Sequence, residues 1–361
     1  MCEISGINRL QGQLNQYAFS PTSSSCTSGL SLLYTLLLLF TSVEETSPVY
    51  LNLSEVLNFN ELSLEAFKSL LKNLGDAELQ TSASAFLRAY NNRDPAIEAI
   101  QQTYLHSHTR PLTTASAINQ WASEHTNGTI TEILTGELSR GTEAVLISAL
   151  YFKAKWQHEF DPTMTAAMPF TLLDGAEKDV PTMNMPRTSR AVWNSAVSTG
   201  FVNEYAGSAD GLIALFSLPK ESGEAGLRAS LAELTTRFPE RGTHSTSINL
   251  SLPKFAIDSS MPLDAFLQQL GLGAMYQTFQ FAAETSKPFV SVGTVLQGTH
   301  LVVDEQGTEA SAVTAMVVRR SYDPTLYTDL AFDRPFAFAL VEKATGTRIV
   351  TAAIVDPLAV E

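Results

Sequence analysis

The feature that most constrains the fold is a segment of small and apolar residues, DEQGTEASAVTAMVVRRS, which runs from Asp304 to Ser321. Alternate residues of an extended strand share one face. One face carries no charge: Thr308, Ala310, Ala312, Thr314, Met316 and Val318. Glu309 and Arg319 lie on the other, as in a strand with one buried side. Yet Gly307 precedes the segment like a hinge, and residues 319–324 follow it like an exposed turn. The segment is therefore predicted to serve both as loop and as strand; an ordinary sheet strand before a turn remains the alternative.

The composition indicates a globular chain with an acidic surface. Of 361 residues, 44% are hydrophobic and 17% charged, and the net charge is −14. Such a surface repels phosphate backbones and anionic lipids, so neither a nucleic acid nor a membrane is expected as a partner. The apolar run from Leu30 to Phe40 has 11 residues, fewer than the roughly 20 of a membrane span, and is predicted to be a buried helix.

The N-terminal residues and the cysteines suggest a compartment. No secretory signal is visible at the start of the chain, and Cys2 and Cys26 are expected to be free thiols, with a single bridge between them as the alternative. We therefore expect a cytoplasmic protein, with leaderless secretion as the alternative.

Helical and strand patterns divide the chain. Helical periodicity dominates the first part, including Leu62–Leu74 and the residues before Gly128. Strand patterns dominate afterwards, although Met261–Met275 reads as a further amphipathic helix. These patterns predict an α+β fold with large sheets, formed by residues 1–361 as a single domain.

Several blocks resemble, in order and spacing, those of the serpin family of serine protease inhibitors. The segment after Glu305 resembles the hinge of the serpin reactive-centre loop, with Gly307, Thr308, Glu309, Ala310, Ser311 and Ala312 as hinge residues. FSP at Phe19–Pro21 resembles the start of helix B. The other blocks are INQWASEHTNGTI, LYFKAKWQHEFDPTMT, LPKF and FDRPFAF. The resemblance implies three sheets, about eight or nine helices, an exposed reactive-centre loop at about residues 305–331, and a monomer.

The resemblance also implies how the protein acts. In serpins a protease attacks the exposed loop and forms an acyl-enzyme, and the cleaved loop then inserts into the main sheet and traps the protease. The partner would be a target protease, and the chain would be neither an enzyme nor dependent on a cofactor or metal. The small hinge residues favour inhibition over the alternative of a non-inhibitory carrier, chaperone or storage protein.

Other residues match serpin positions that control loop insertion. Lys254 and Glu305 match a pair at the top of the main sheet, beside Trp156. Ser20 and Ser23 match hydroxyls beneath its opening point. Ser148 and Gln297 stand where serpins usually have Asn and His, so we expect a changed hydrogen-bond network there.

Serpin spacing places the scissile residue about sixteen positions after Glu305, at Ser321, or at Arg320 in members one residue shorter. Cleavage at Arg320–Ser321 suits trypsin-like proteases. The dibasic pair Arg319–Arg320 would also suit subtilisin-like processing enzymes or cysteine proteases, and Ser321–Tyr322 would suit an elastase-like enzyme. No G-x-S-x-G or H-E-x-x-H motif supports an enzymatic function.

Overall fold

A computed structural model gives the architecture of the chain. The structure describes residues 2–57, 61–75, 79–88, 95–107, 109–207, 211–236, 243–280, 289–308 and 328–358. Among them are eight α-helices: α1 (Cys2–Ala18), α2 (Gly29–Phe40), α3 (Pro48–Leu57), α4 (Glu61–Gly75), α5 (Pro95–Ile100), α6 (Ala115–Glu124), α7 (Glu224–Thr236) and α8 (Asp264–Gln269). None of these described helices is both long and apolar enough to cross a membrane.

The described residues also form eighteen strands. These are β1 (Ser25–Thr27), β2 (Leu79–Leu87), β3 (Arg110–Pro111), β4 (Ala144–Phe152), β5 (Ala154–Lys155), β6 (Ala166–Thr171), β7 (Glu177–Asn194), β8 (Ser198–Glu204), β9 (Leu212–Pro219), β10 (Thr243–Pro253), β11 (Phe255–Pro262), β12 (Phe279–Gln280), β13 (Phe289–Val290), β14 (Val292–Val303), β15 (Gly307–Thr308), β16 (Thr328–Ala331), β17 (Phe336–Glu342) and β18 (Arg348–Ile354). They build a nine-stranded, a seven-stranded and a two-stranded sheet. The α+β class, the three sheets and the number of helices are as predicted.

The seven-stranded sheet positions the candidate site. Its order is β3-β2-β4-β14-β15-β5, and β11 pairs with the other edge of β14. β4 and β14 run parallel, with residue pairs from Val292–Ala144 to His300–Tyr151. Above the last pair, β15 lies between β14 and β5 and is antiparallel to both.

This sheet is buried on both faces, which explains the near-continuous apolar sequence of β4. Leu146 and Leu150 face the main core, where α2 lies against β2 and β4. Val145 and Ile147 face the other way, into a second cluster built on α6 and the segment after it.

The sequence patterns predicted the helices α2 and α4 correctly but gave the wrong bounds for α8. α2 is buried from Gly29 to Leu39, as its apolar run predicts, and α4 nearly coincides with the predicted Leu62–Leu74. The helix predicted over Met261–Met275 is wrong at its start, because Met261 and Pro262 pair with β14 as the end of β11. Only Asp264–Gln269 is α-helical, followed by a 3-10 turn at Gly273–Tyr276.

Candidate functional site

The hinge of the predicted loop begins as a strand inside the seven-stranded sheet. Gly307 pairs with Lys155, and Thr308 pairs with both Ala154 and Val303. A tight turn reverses the chain just before, because the Asp304 carboxylate accepts hydrogen bonds from the backbone N–H groups of the two residues preceding Thr308, at 2.9 and 3.1 Å. Residues 309–327 lie outside the described residues, so the loop is structurally defined only at its first two strand residues and again at β16.

Gly307 is required by the close approach of the neighbouring strand. A Cβ atom at this position would lie 2.0 Å from the carbonyl oxygen of Ala154, well inside van der Waals contact. The backbone of the hinge can therefore approach β5 closely enough to pair only if this residue has no side chain.

Glu305 ties the turn to two other elements. Its Oε2 lies 2.8 Å from Lys254 Nζ, and its Oε1 accepts a hydrogen bond of 2.7 Å from the Thr165 hydroxyl. Lys254 links β10 to β11, and its backbone N–H donates to Pro181. Burial raises the pKa of the Glu305 carboxyl, but the hydrogen bonds from Lys254 and Thr165 outweigh burial, so the pKa lies below its ordinary value.

Two aromatic side chains, Trp156 and Tyr205, also contact the hinge and the turn before it. Trp156 is buried, donates from Nε1 to the Asp304 carbonyl at 3.0 Å, and stacks on Tyr205 with ring centroids 4.6 Å apart. The Tyr205 hydroxyl lies 2.8 Å from the hydroxyl of Thr308, which is fully buried. We call Trp156, Tyr205, Lys254, Glu305 and Thr308 the upper site.

A second polar cluster lies lower in the same sheet, midway along β14. Gln297 stands opposite Ser148 in the β4–β14 ladder, and both are buried. The Gln297 side chain accepts a hydrogen bond from the Ser28 backbone N–H at 3.0 Å and donates one to the Ser28 carbonyl at 2.8 Å. The Ser28 hydroxyl donates to the Ile349 carbonyl at 2.6 Å. We call Ser28, Ser148 and Gln297 the lower site.

The structure corrects the prediction for Ser20 and Ser23, which it does not bring to the lower site. The Ser20 hydroxyl instead caps a local turn by accepting from the Ser23 backbone N–H at 3.2 Å. The buried helix does not begin near Phe19–Pro21, because Ser28 is its N-cap and accepts from the Ser31 N–H. Ser28 was missed, although an N-cap serine directly before an apolar run is a recognisable signal.

A helix and its extension cover the outer face of the sheet over the lower site. Trp121 of α6 and Ile130 and Ile133 after it pack on Val145, Ile147, Ala149 and Leu296. Gly298 makes room for them, since a Cβ there would lie 3.0 Å from the terminal carbons of Ile130 and Ile133. The Ser260 hydroxyl donates to the Ile133 carbonyl at 3.0 Å and ties the cover to β11.

The remaining predicted site residues lie outside the described residues. They are the hinge residues Glu309, Ala310, Ser311 and Ala312 and the proposed cleavage region Arg319, Arg320, Ser321 and Tyr322. Their roles stay predictions.

Comparison with known proteins assigns the family. A family model described as serpin (serine protease inhibitor) matches residues 9–357. The chain belongs to the serpin family. Serpin A3-3 of Bos taurus is 31% identical over 294 residues, which are 81% of this chain and 66% of that relative. The aligned part thus spans slightly less than two thirds of the relative.

Solved serpin structures share the fold. The native state of tengpin, a thermophilic serpin, superimposes with a TM-score of 0.84 at 20% identity and covers 98% of this chain and 94% of its own. Thyroxine-binding globulin in complex with thyroxine gives 0.82 at 21% identity and covers 98% of both chains.

Proposed function

We propose that this serpin is a suicide-substrate inhibitor of serine proteases, which traps the acyl-enzyme when its cleaved loop inserts between β4 and β14. The observation that carries the proposal is the position of β15. Gly307 and Thr308 already form the first two residues of a strand between β14 and β5. Insertion would extend this strand rather than start a new one.

The register of β15 supports the insertion. If the pairing of Val303 with Thr308 continued downwards, Thr314 would stand opposite Gln297 and Arg319 opposite Val292, the first residue of β14. Thr308 points into the core, so the residues that alternate with it would form the buried face. That is the uncharged face found in the sequence. A cut after Arg320 would release a segment that fills the whole length of β14.

Insertion has to separate strands that are now paired. β4 and β14 share a parallel ladder below Tyr151 and His300, and the new strand would exchange it for two antiparallel ladders. The net gain is therefore one ladder, at about 0.5–1.5 kcal/mol per hydrogen bond, together with burial of the apolar face of the loop. The cover formed by α6 and its extension contacts both β4 and β14, so it would have to shift as they part.

The sequence of the loop suggests the target. Arg320–Ser321 is the bond we propose to be cleaved, which favours a trypsin-like protease that binds the arginine through a buried carboxylate. Ser321–Tyr322 is the alternative bond, and Arg319–Arg320 would also suit a dibasic-specific subtilisin-like or cysteine protease.

A non-inhibitory role as carrier, chaperone or storage protein is the second candidate. The observation that favours it is the structural similarity to thyroxine-binding globulin in complex with thyroxine, which concerns the fold alone. The two candidates differ in the behaviour of the loop after cleavage. An inhibitory loop inserts and raises the temperature of unfolding sharply, whereas a loop that stays outside the sheet leaves that temperature unchanged.

A protease panel tests the proposal. The chain is mixed with trypsin-like, elastase-like, subtilisin-like and cysteine proteases, and a complex that survives boiling in detergent is sought. We expect a covalent complex with a trypsin-like enzyme and a released peptide that begins at Ser321, identified by mass spectrometry. Cleavage in the loop without any trapped complex, and without a gain in thermal stability, would contradict inhibition.

A further inference from the structure

The nine-stranded sheet contains a fork between β7 and β8. Their antiparallel ladder ends at the pair Ala191–Val202. One residue further, Arg190 stays paired with Thr246 of β10, while Asn203 stays paired with Ala214 of β9. Arg190 and Asn203 therefore occupy opposing positions on the two arms, where the two strands part.

Both side chains lie on the inner side of the fork. In the ladder, the pair next to Ala191–Val202 is Val192 with Phe201, and both contact the main core. Because residues two apart on a strand share a face, Arg190 and Asn203 lie on the same face as this pair. Arg190 is only 8% exposed and Asn203 only 2%. A guanidinium and an amide thus lie on opposing arms of the fork, both nearly inaccessible to solvent.

Both groups have donors without an acceptor. Arg190 donates from Nη1 to the Ser189 carbonyl at 2.9 Å and from Nη2 to the Met185 sulfur at 3.0 Å. Its Nε and the Nδ2 of Asn203 are buried and have no hydrogen-bond partner among the described residues. Buried polar atoms are nearly always paired, so a missing acceptor at two opposing positions indicates a ligand.

No described carboxylate lies within ion-pair distance of Arg190. Glu204, the neighbour of Asn203 in β8, instead binds Lys343, with 3.0 Å between Nζ and Oε1. Burial lowers the pKa of the Arg190 guanidinium, and the charge of Glu204 opposes this only in part. The fork therefore holds a buried cation that forms no ion pair with a described carboxylate.

We propose that this fork is a binding site for a small carboxylate. One carboxylate oxygen would accept from Arg190 Nε and the other from the remaining hydrogen of Nη2, the side-on bidentate arrangement that guanidinium and carboxylate favour. Asn203 Nδ2 would donate to one of these oxygens. A spherical halide could not span both nitrogens, and a water molecule would leave the charge uncompensated. The site does not depend on protease inhibition.

The test uses the full chain and sodium formate. Sodium gluconate, a carboxylate far bulkier than formate, is replaced by formate, chloride or phosphate in amounts that keep the ionic strength constant. We expect formate to raise the midpoint of thermal unfolding saturably, by about 2 °C at tenfold its dissociation constant, with no comparable effect of chloride. Arg190→Met should abolish this rise. Arg190→Lys keeps the charge but loses the planar guanidinium group, and it should weaken formate binding about tenfold. This variant provides a readout if the methionine variant does not fold.

Arg187→Gln is the matched control. Arg187 lies on the same strand but is exposed, so this variant loses the same charge and should respond to formate like the unmodified chain. The proposal is overturned if formate produces no rise, if the rise persists in Arg190→Met or is undiminished in Arg190→Lys, or if chloride or phosphate acts as strongly as formate.

Discussion

The hydroxyl of Thr308 lies 2.8 Å from the hydroxyl of Tyr205, and both residues are buried. This contact holds the hinge residues Gly307 and Thr308 within the seven-stranded sheet. Tyr205 stacks in turn on Trp156, whose indole N–H holds the carbonyl of Asp304. The hinge is therefore anchored on both sides of its turn.

If the proposed inhibition takes place, replacing Thr308 by Arg is expected to convert the chain from an inhibitor into a substrate. An unpaired guanidinium at this buried position costs several kcal/mol, and each 1.4 kcal/mol or so on the barrier to insertion slows it about tenfold. Hydrolysis of the acyl-enzyme then overtakes insertion. The measurement is the ratio of detergent-stable complex to cleaved serpin with a protease that the unmodified chain traps.

Thr308→Val is the control for the arginine variant. It keeps the shape of the side chain and removes only the hydrogen bond to Tyr205, at a cost of about 1–3 kcal/mol in stability. Trapping should persist in this variant. Equal trapping by the arginine and valine variants would contradict the role assigned to Thr308.

Acidification is expected to loosen the hinge through Glu305. The pKa of Glu305 in the folded chain lies below its ordinary 4.5, so its contribution to stability is fully present above pH 4.5 and is lost as the pH falls through the lower folded value. The partner Lys254 is partly exposed, so we expect an effect of no more than about 1 kcal/mol. The measurement is the protection of the Gly307 amide, which is its hydrogen-exchange rate relative to the intrinsic rate at each pH, followed from about pH 7 to about pH 3.5.

Glu305→Gln separates this effect from general acid unfolding. Glutamine keeps the size of the side chain and an acceptor for the Thr165 hydroxyl but loses the charge that attracts Lys254. In this variant the Gly307 amide should be less protected from exchange at neutral pH. Acidification should cause no further loss of protection through this group. If both chains gave the same pH profile, Glu305 would not be the titrating anchor.

The sequence was sufficient to locate the upper site and two of the three residues of the lower one, Ser148 and Gln297. Lys254, Glu305 and Trp156 each lie in a distinctive sequence block, and the structure brings all three together. For the lower site the chain contains three candidate serine pairs of equal spacing, Ser20 with Ser23, Ser25 with Ser28 and Ser28 with Ser31. The resemblance of the FSP block favoured the first pair, whereas the position of Ser28 as the N-cap of α2, where it accepts from the buried Ser31, favours the last.

Other features depend on tertiary pairing that sequence patterns do not contain. Met261 and Pro262 fit a helical pattern, but pairing with Gln297 and Leu296 of β14 extends β11 through them. The fork at Arg190 and Asn203 arises because two neighbouring strands part and pair with different partners. Local periodicity identifies a strand but does not show where its ladder ends.

Gln297→Leu is expected to ease separation of β4 from β14. The Ser28 N–H would lose its acceptor in a buried position, which should lower the stability of the uncleaved chain by about 1–3 kcal/mol. The Ser28 carbonyl keeps its helical bond from Leu32. We therefore expect faster spontaneous loop insertion without cleavage, measured as the loss of inhibitory activity during incubation below the unfolding temperature.

Ser148→Ala is the matched control for Gln297→Leu. Ser148 occupies the opposing position in the same ladder, and alanine leaves the bonds between Gln297 and Ser28 in place. This variant should lose activity more slowly than the leucine variant. Equal rates would show that the bonds to Ser28 do not restrain insertion.

Arg320, rather than Arg319, is expected to direct cleavage by a trypsin-like protease. If Arg320 occupies the specificity pocket of a trypsin-like protease, Arg320→Ala should reduce the rate of complex formation by at least about a hundredfold, because the charge-assisted bond to the pocket carboxylate is lost. Arg319→Ala removes the same charge one residue earlier and should change the rate by less than about tenfold with the same enzyme. A dibasic-specific protease would lose activity with both variants. Mass spectrometry of the released peptide decides between the bonds, since cleavage at Ser321–Tyr322 would yield a peptide beginning with Tyr322 and would leave Arg320→Ala nearly as reactive as the unmodified chain.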